Sequence, residues 1–193
     1  MENVVEAILI SMSSVNKPQL LFMMNLFSVL VVFQGKATFR NLSRYCEMHE
    51  KRFSRWYRRH FDFALFNLRL IDHELEKDVE RIAAIDASFM RKSGRYTEGL
   101  GWFYHGQLGR AMIGLELSLI CAIDLVSNTA YAIDAKQTLD NECETRVDLY
   151  ARQVTELATS LKDQNITYLA ADAYYSKVKF IDAICSSHLN MIG

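Results

Sequence analysis

The sequence predicts an α/β protein, a mixed sheet with flanking helices, preceded by an all-α N-terminal region. Three observations carry that prediction. The hydrophobic period changes from helical to two after Glu80. Beyond that point the elements run three strands, a helix, a strand and a helix, an order that suits a mixed sheet with helices against it. Six of the eight glycines fall between Gly94 and Gly114, inside the strand-forming half. The organisation read from these features is a helical, basic region over residues 1–80 and a sheet domain over 81–193.

Each element has a local reason. Lys17-Pro18 and the apolar run to Phe33 read as a buried helix, with proline in the first turn and Gly35 as the stop. Thr38 to Cys46 reads as a second helix with Thr38 as N-cap. After a break at Glu47-Met48-His49, a third runs from Glu50 to His60. Phe53, Trp56, Tyr57 and His60 recur at i, i+3, i+4 and i+7, the stripe that a helix buries. Two short helices around a three-residue break fit a helix-turn-helix-like pattern. Phe61 to Leu70 reads as a further helix.

The strands follow. Ile82 to Met90 is the first, and the glycine-rich, aromatic segment from Gly99 to Gly109 reads as a hairpin connection. That segment matches no G-x-G-x-x-G or P-loop pattern. From Leu115 to Leu125, leucine, cysteine and isoleucine alternate with Glu116, Ser118 and Asp124. Ser127-Asn128 supplies a turn into a strand from Thr129 to Thr138. Glu144 to Leu161 reads as a helix with Val147, Tyr150, Ala151, Val154, Leu157, Ala158 and Leu161 on one face. Ile166 to Ala173 is a short strand, and Lys177 to Leu189 a final helix.

Composition narrows the classes. Half of the 193 residues are hydrophobic and 23% are charged, which supports a real core and excludes a disordered or low-complexity chain. The net charge of −1 hides a basic block: residues 36–60 hold eight bases and two acids, and residues 89–113 hold four and one. Cys46, Cys121, Cys143 and Cys185 form no C-x-x-C pair, so four reduced thiols are expected. The five histidines form no spaced pair either. Leu20 to Phe33 is too short for a membrane span, which needs about 20 residues. Glu2 and Glu6 argue against a signal peptide, so a cytoplasmic protein with no membrane partner is expected.

Two aspartates stand out. Asp86 lies between Ile85 and Ala87, and Asp172 within Leu169-Ala170-Ala171-Asp172-Ala173-Tyr174. A carboxylate among apolar strand residues is costly unless paired, hydrogen-bonded or bound to a cation. On neighbouring strands the two would hold Mg²⁺ or Mn²⁺, hard ions suited to oxygen ligands and to phosphoryl transfer. Equally, each aspartate would end a strand or cap a loop. Ala-Ile-Asp also occurs at 122–124 and 132–134, where Asp124 sits beside a turn and Asp134 is placed to face solvent.

A resemblance bears on that choice. Ala84-Ile85-Asp86-Ala87-Ser88-Phe89-Met90-Arg91-Lys92-Ser93-Gly94 resembles the first-aspartate region of bacterial DDE-type insertion-sequence transposases. Gly99-Leu100-Gly101-Trp102-Phe103, Gly114-Leu115-Glu116-Leu117-Ser118 and Asn128-Thr129-Ala130-Tyr131-Ala132 continue it. Leu169 to Ser176 resembles the second-aspartate strand, and Arg40 to Asn67 the basic helical part. The resemblance spans about residues 36–190. It implies an RNase H-like fold with the first and fourth strands side by side. It also implies Asp86 and Asp172 as catalytic metal ligands for Mg²⁺ or Mn²⁺, and DNA strand cleavage and transfer by water and then a 3′-hydroxyl. The family's third ligand, a glutamate on a later helix, has no match here, since Glu142 and Glu144 precede Asp172. The chain is therefore expected to correspond to the front part of a transposase, or to a non-catalytic DNA-binding fragment or regulator derived from one, with an apolar patch beside Asp172.

Arginines around an apolar stripe are often a solvated face. Here the local charge and the helix-turn-helix-like spacing favour Arg44, Lys51, Arg52, Arg55, Arg58 and Arg59 as contacts to the phosphates of double-stranded transposon ends. A nucleoid-associated, bacterial homodimer is the accompanying expectation.

Overall fold

Pro18 lies in the first turn of the apolar helix as the sequence predicts, and Asn16 caps it. In the computed structural model, which describes residues 4–76, 79–139 and 143–193, the Asn16 side chain accepts the Gln19 backbone N–H at 3.0 Å, and the helix runs Lys17–Val32. It is α2; a short α1, Val4–Ser11, precedes it. Thr38 caps α3, Phe39–Leu42, which tightens into a 3₁₀ turn at Ser43–Tyr45. His49 caps α4, Glu50–Tyr57, and α5 covers Phe63–Glu74. The chain divides into two units, residues 1–70 and 71–193.

The helical unit has a core built on Leu9, Met12, Phe22, Met23, Val29, Leu42, Phe53 and Phe66. Phe22 stacks on Trp56 at 5.3 Å and meets Phe53 edge-on at 5.8 Å. Two expectations change here. Only one face of α2 is buried: Leu21, Leu30, Val31 and Val32 are exposed, Val31 at 85%. The third helix stops at Tyr57 rather than His60, leaving Tyr57 79% exposed and His60 on the surface. The His60 carbonyl instead accepts the side-chain N–H of buried Gln19 at 2.9 Å, so the segment serves a non-helical bond.

The second unit holds a six-stranded mixed sheet: β1 Arg81–Arg91, β2 Gly101–His105, β3 Arg110–Asp124, β4 Thr129–Gln137, β5 Tyr168–Ala171 and β6 Asn190–Ile192. The order is β2-β3-β1-β5-β6, with β4 also paired to β3. β1 is antiparallel to β3 and parallel to β5, and β5 is parallel to β6. Two of these strands are absent from the sequence reading. β2 is hidden among glycines, and β6 spans only three residues. Gly109, with φ 61°, makes the turn between β2 and β3. At Gly114 a Cβ would meet the Phe89 ring at 2.4 Å and the Met90 carbonyl at 2.5 Å, so only glycine fits where β1 and β3 approach.

The burial of β3 reverses the usual reading of its alternation. Glu116, Ser118, Ile120, Ala122 and Asp124 are buried, whereas Leu115, Leu117, Cys121 and Ile123 are half-buried and Leu119 is exposed. Glu116 and Asp124 are tolerated because each has a task, whereas the Ser118 hydroxyl has no partner among the described residues. Glu116 accepts the Tyr150 hydroxyl and stands 3.9 Å from Arg146. Asp124 accepts the Val126 and Ser127 backbone N–H groups at 2.9 and 2.8 Å, and these bonds, Ser127 first, hold its carboxyl below the usual range. Asp134 does not face solvent: half-buried, it accepts Gln153 Nε2 at 3.0 Å.

Tyr150, Arg146 and Gln153 belong to α6, Arg146–Asp163, whose buried face matches the expected one except that Val147 is half-buried and Gln153 joins it. Thr145 and Asp148 form a capping box, and Lys179 of α7, Val178–Ser186, reaches Asp148 at 2.5 Å. Lys179 first, then Thr145, holds the Asp148 carboxyl down to about 2. Because the folded value is depressed, this bond stabilises the fold above about pH 4 and is lost as the pH falls toward 2. Asp148→Asn is therefore expected to flatten acid unfolding between pH 4 and 2, as followed by circular dichroism; an unchanged acid limb would refute this.

Candidate functional site

The carboxylate pair is built by strand pairing. In the parallel β1–β5 ladder, Ile85 stands opposite Ala171 as the last pair in register. Asp86 and Asp172 each follow by one residue, so both stand where the β1–β5 pairing ends, Asp86 midway along β1 and Asp172 just past β5. Asp86 is exposed between buried Ile85 and half-buried Ala87. Asp172 lies just beyond β5 rather than inside it, because it caps the 3₁₀ turn Ala173–Tyr175, its Oδ1 accepting the Tyr174 N–H at 2.9 Å. The capping role expected of Asp172 is present.

Tyr175 links the two aspartates electrically. It is buried, its ring lies 5.1 Å from Phe180 and 5.4 Å from Tyr150, and its hydroxyl has no hydrogen-bond partner among the described residues. Burial, then the neighbouring Tyr150, Asp86, Asp172 and Glu116, pushes its ionisation far up, so the phenol stays protonated. Both carboxylates thus act on one buried hydroxyl. The sequence reading missed Tyr175; its position three residues after Asp172 was the available signal. Tyr174, whose N–H Asp172 accepts, is 47% exposed.

Two exposed carboxylates following the last pair of the β1–β5 ladder are hard-oxygen donors. Mg²⁺ retains several waters and is commonly held by one or two carboxylates, so Asp86 and Asp172 fit such an ion. Among the described residues no group of three or more His, Cys, Asp or Glu side chains is placed to hold a metal. Glu144 forms an ion pair with Arg152 at 3.1 Å, and Glu142 lies outside the described residues.

The basic residues of the helical unit form a second cluster. Arg44 sits in the 3₁₀ turn, Lys51, Arg52 and Arg55 on α4, Arg58 at its C-cap and Arg59 just beyond. All six are exposed, and none makes an ion pair among the described residues. The Arg59 guanidinium lies 4.6 Å from the Trp56 ring, which holds that charge near the helix end. The four cysteines form no disulfide with one another, and no helix is long and apolar enough to cross a membrane among the described residues.

No protein-family model, curated protein or solved structure matches the chain.

Proposed function

We propose that the chain is a DDE-type transposase polypeptide with an RNase H-like sheet and a helix-turn-helix-like basic region. It binds double-stranded DNA ends and directs divalent-metal-dependent strand cleavage and transfer. The observation that carries this reading is the parallel β1–β5 pairing, whose last registered pair, Ile85 and Ala171, immediately precedes Asp86 and Asp172. Three antiparallel strands followed by two parallel ones in the order β4-β3-β1-β5-β6 support it as well.

Asp86 and Asp172 would hold Mg²⁺ or Mn²⁺, which when bound supplies Lewis-acid stabilisation at a phosphoryl oxygen. The Tyr174 N–H fixes one oxygen of Asp172 and so orients its carboxylate. The Tyr175 hydroxyl stays protonated beside the pair and remains a donor. Arg44, Lys51, Arg52, Arg55, Arg58 and Arg59 neutralise phosphates of the duplex. A second reading, a DNA-binding regulator derived from a transposase, draws on the lack of any group of three or more His, Cys, Asp or Glu placed to hold a metal among the described residues.

Mn²⁺ binding, followed by electron paramagnetic resonance, tests the site. The chain is expected to bind the ion weakly, and Asp86→Asn and Asp172→Asn are each expected to weaken binding at least tenfold, since each removes an anionic ligand. Strand nicking by the 193-residue chain is expected to be slow, because a two-metal site needs further anionic oxygens. Equal Mn²⁺ affinity in all three proteins would sink the metal assignment. Fast nicking abolished by Asp86→Asn would reveal a third ligand within the chain.

A further inference from the structure

The sheet register leaves a notch on β3. β1 ends at Arg91, opposite Gly114, whereas β3 begins four residues earlier at Arg110. β2 pairs with residues 110–114 along the other edge of β3. The edge of Arg110–Ile113 on the β1 side therefore has no strand partner among the described residues. A groove of about 470 Å³ occupies this place, lined by Arg91, Lys92, Trp102, Arg110, Met112 and Ile113 among others.

Its chemistry is one-sided. Arg91, Lys92 and Arg110 are exposed and make no ion pair among the described residues. Trp102 is 65% exposed and stands opposite Ile113 in register, so both side chains project from the same face. Arg91 and Arg110, at the alternate register positions, line the same groove across the open edge. The tryptophan is carried on a tethered strand: its carbonyl accepts Arg146 Nη2 at 3.1 Å, and that guanidinium lies 4.5 Å from the Phe103 ring. An exposed aromatic face beside uncompensated cations is the arrangement that stacks a base and neutralises its phosphates.

We propose that this notch binds a single-stranded nucleic-acid segment, with a base stacked on Trp102 and phosphates against Arg91, Lys92 and Arg110. The proposal does not depend on the Asp86 and Asp172 reading. An extended peptide adding to the open β3 edge is the rival occupant, but a four-residue edge does not call for three unpaired cations, whereas a polyanion does.

The test uses the full chain carrying Trp56→Phe, which leaves Trp102 as its sole tryptophan. Titration with a 12-mer of thymidylate, or of uridylate to separate DNA from RNA, is expected to quench Trp102 emission. In the unsubstituted chain, Trp102→Ala is expected to weaken oligonucleotide affinity about tenfold, while Trp102→Phe, which keeps a stacking face, largely retains it. Arg91→Ala with Arg110→Ala should lower the salt slope of single-strand affinity by about 1 to 2. Unchanged emission at saturating oligonucleotide, or equal affinity in Trp102→Ala and the unsubstituted chain, overturns the proposal. A response confined to an acidic extended peptide overturns it in favour of edge pairing. Loss of Mn²⁺ binding in Asp86→Asn with intact single-strand affinity, or the reverse, separates this site from the carboxylate pair.

Discussion

Replacing Arg52, Arg55 and Arg59 together with alanine is expected to weaken duplex-DNA binding by about three orders of magnitude at 0.1 M salt. All three side chains are exposed, so each is free to meet a phosphate. Each phosphate neutralised by an arginine releases close to one condensed counterion. Three lost contacts should lower the slope of log affinity against log salt by about 3. Near 0.1 M salt each contact of this kind is worth close to a decade of affinity, hence the expected size. The fold should survive, because exposed substitutions usually change stability by less than about 0.5 kcal/mol. Arg59 adds its contact with Trp56, an exposed cation–π pair worth about 0.5–1 kcal/mol, too little to unfold the helical unit. Fluorescence anisotropy with a labelled duplex between 50 and 200 mM salt measures both quantities. An unaltered affinity and slope would move the DNA contact away from α4.

The second large effect concerns Phe180. Its ring is completely buried on α7 and lies 5.1 Å from the ring of Tyr175. Phe180→Ala removes that apolar surface and leaves a cavity, for an expected loss of about 3–5 kcal/mol. That is a large part of the roughly 5–15 kcal/mol by which a domain is usually stable. Val178→Ala on the same helix is the control, since Val178 is 75% exposed and its truncation should cost little. Chemical denaturation followed by circular dichroism gives the comparison. Tyr175 ends the turn that Asp172 caps, so Phe180→Ala should also weaken Mn²⁺ binding without removing a ligand. Similar unfolding midpoints in the two variants would show that Phe180 does not anchor this region.

The candidate sites were legible to different depths. The six basic residues were visible because charge density is a local property, and their exposure follows from the same physics that keeps unpaired cations in water. The aspartates were visible as carboxylates in apolar surroundings, but their role was not, since Asp124 and Asp134 share the Ala-Ile-Asp context. The structure separates the four by partner: Asp124 caps a turn, Asp134 takes Gln153, and Asp86 and Asp172 follow the last pair of the β1–β5 ladder, Asp172 capping the turn after it. The exposed Trp102 beside Arg110 was not legible, because it depends on where β1 stops relative to β3.

By itself the sequence determined the local elements. Asn16 and Pro18 start α2, Thr38 starts α3, Thr145 and Asp148 start α6, and Ser127-Asn128 turns β3 into β4, with Asn128 at φ 53°. Each rests on hydrogen bonds or backbone preferences within a few residues, which a short window contains. Only the tertiary structure decided that β1 and β5 lie side by side and parallel, because strand pairing joins segments far apart in the chain and leaves no local period. It also decided which side of β3 is buried. Alternation places Glu116 and Ser118 on one face and the leucines on the other. Burying the polar face becomes favourable once Tyr150 and Arg146 of α6 satisfy the Glu116 carboxylate, because a buried polar group is tolerated when its partner is in place.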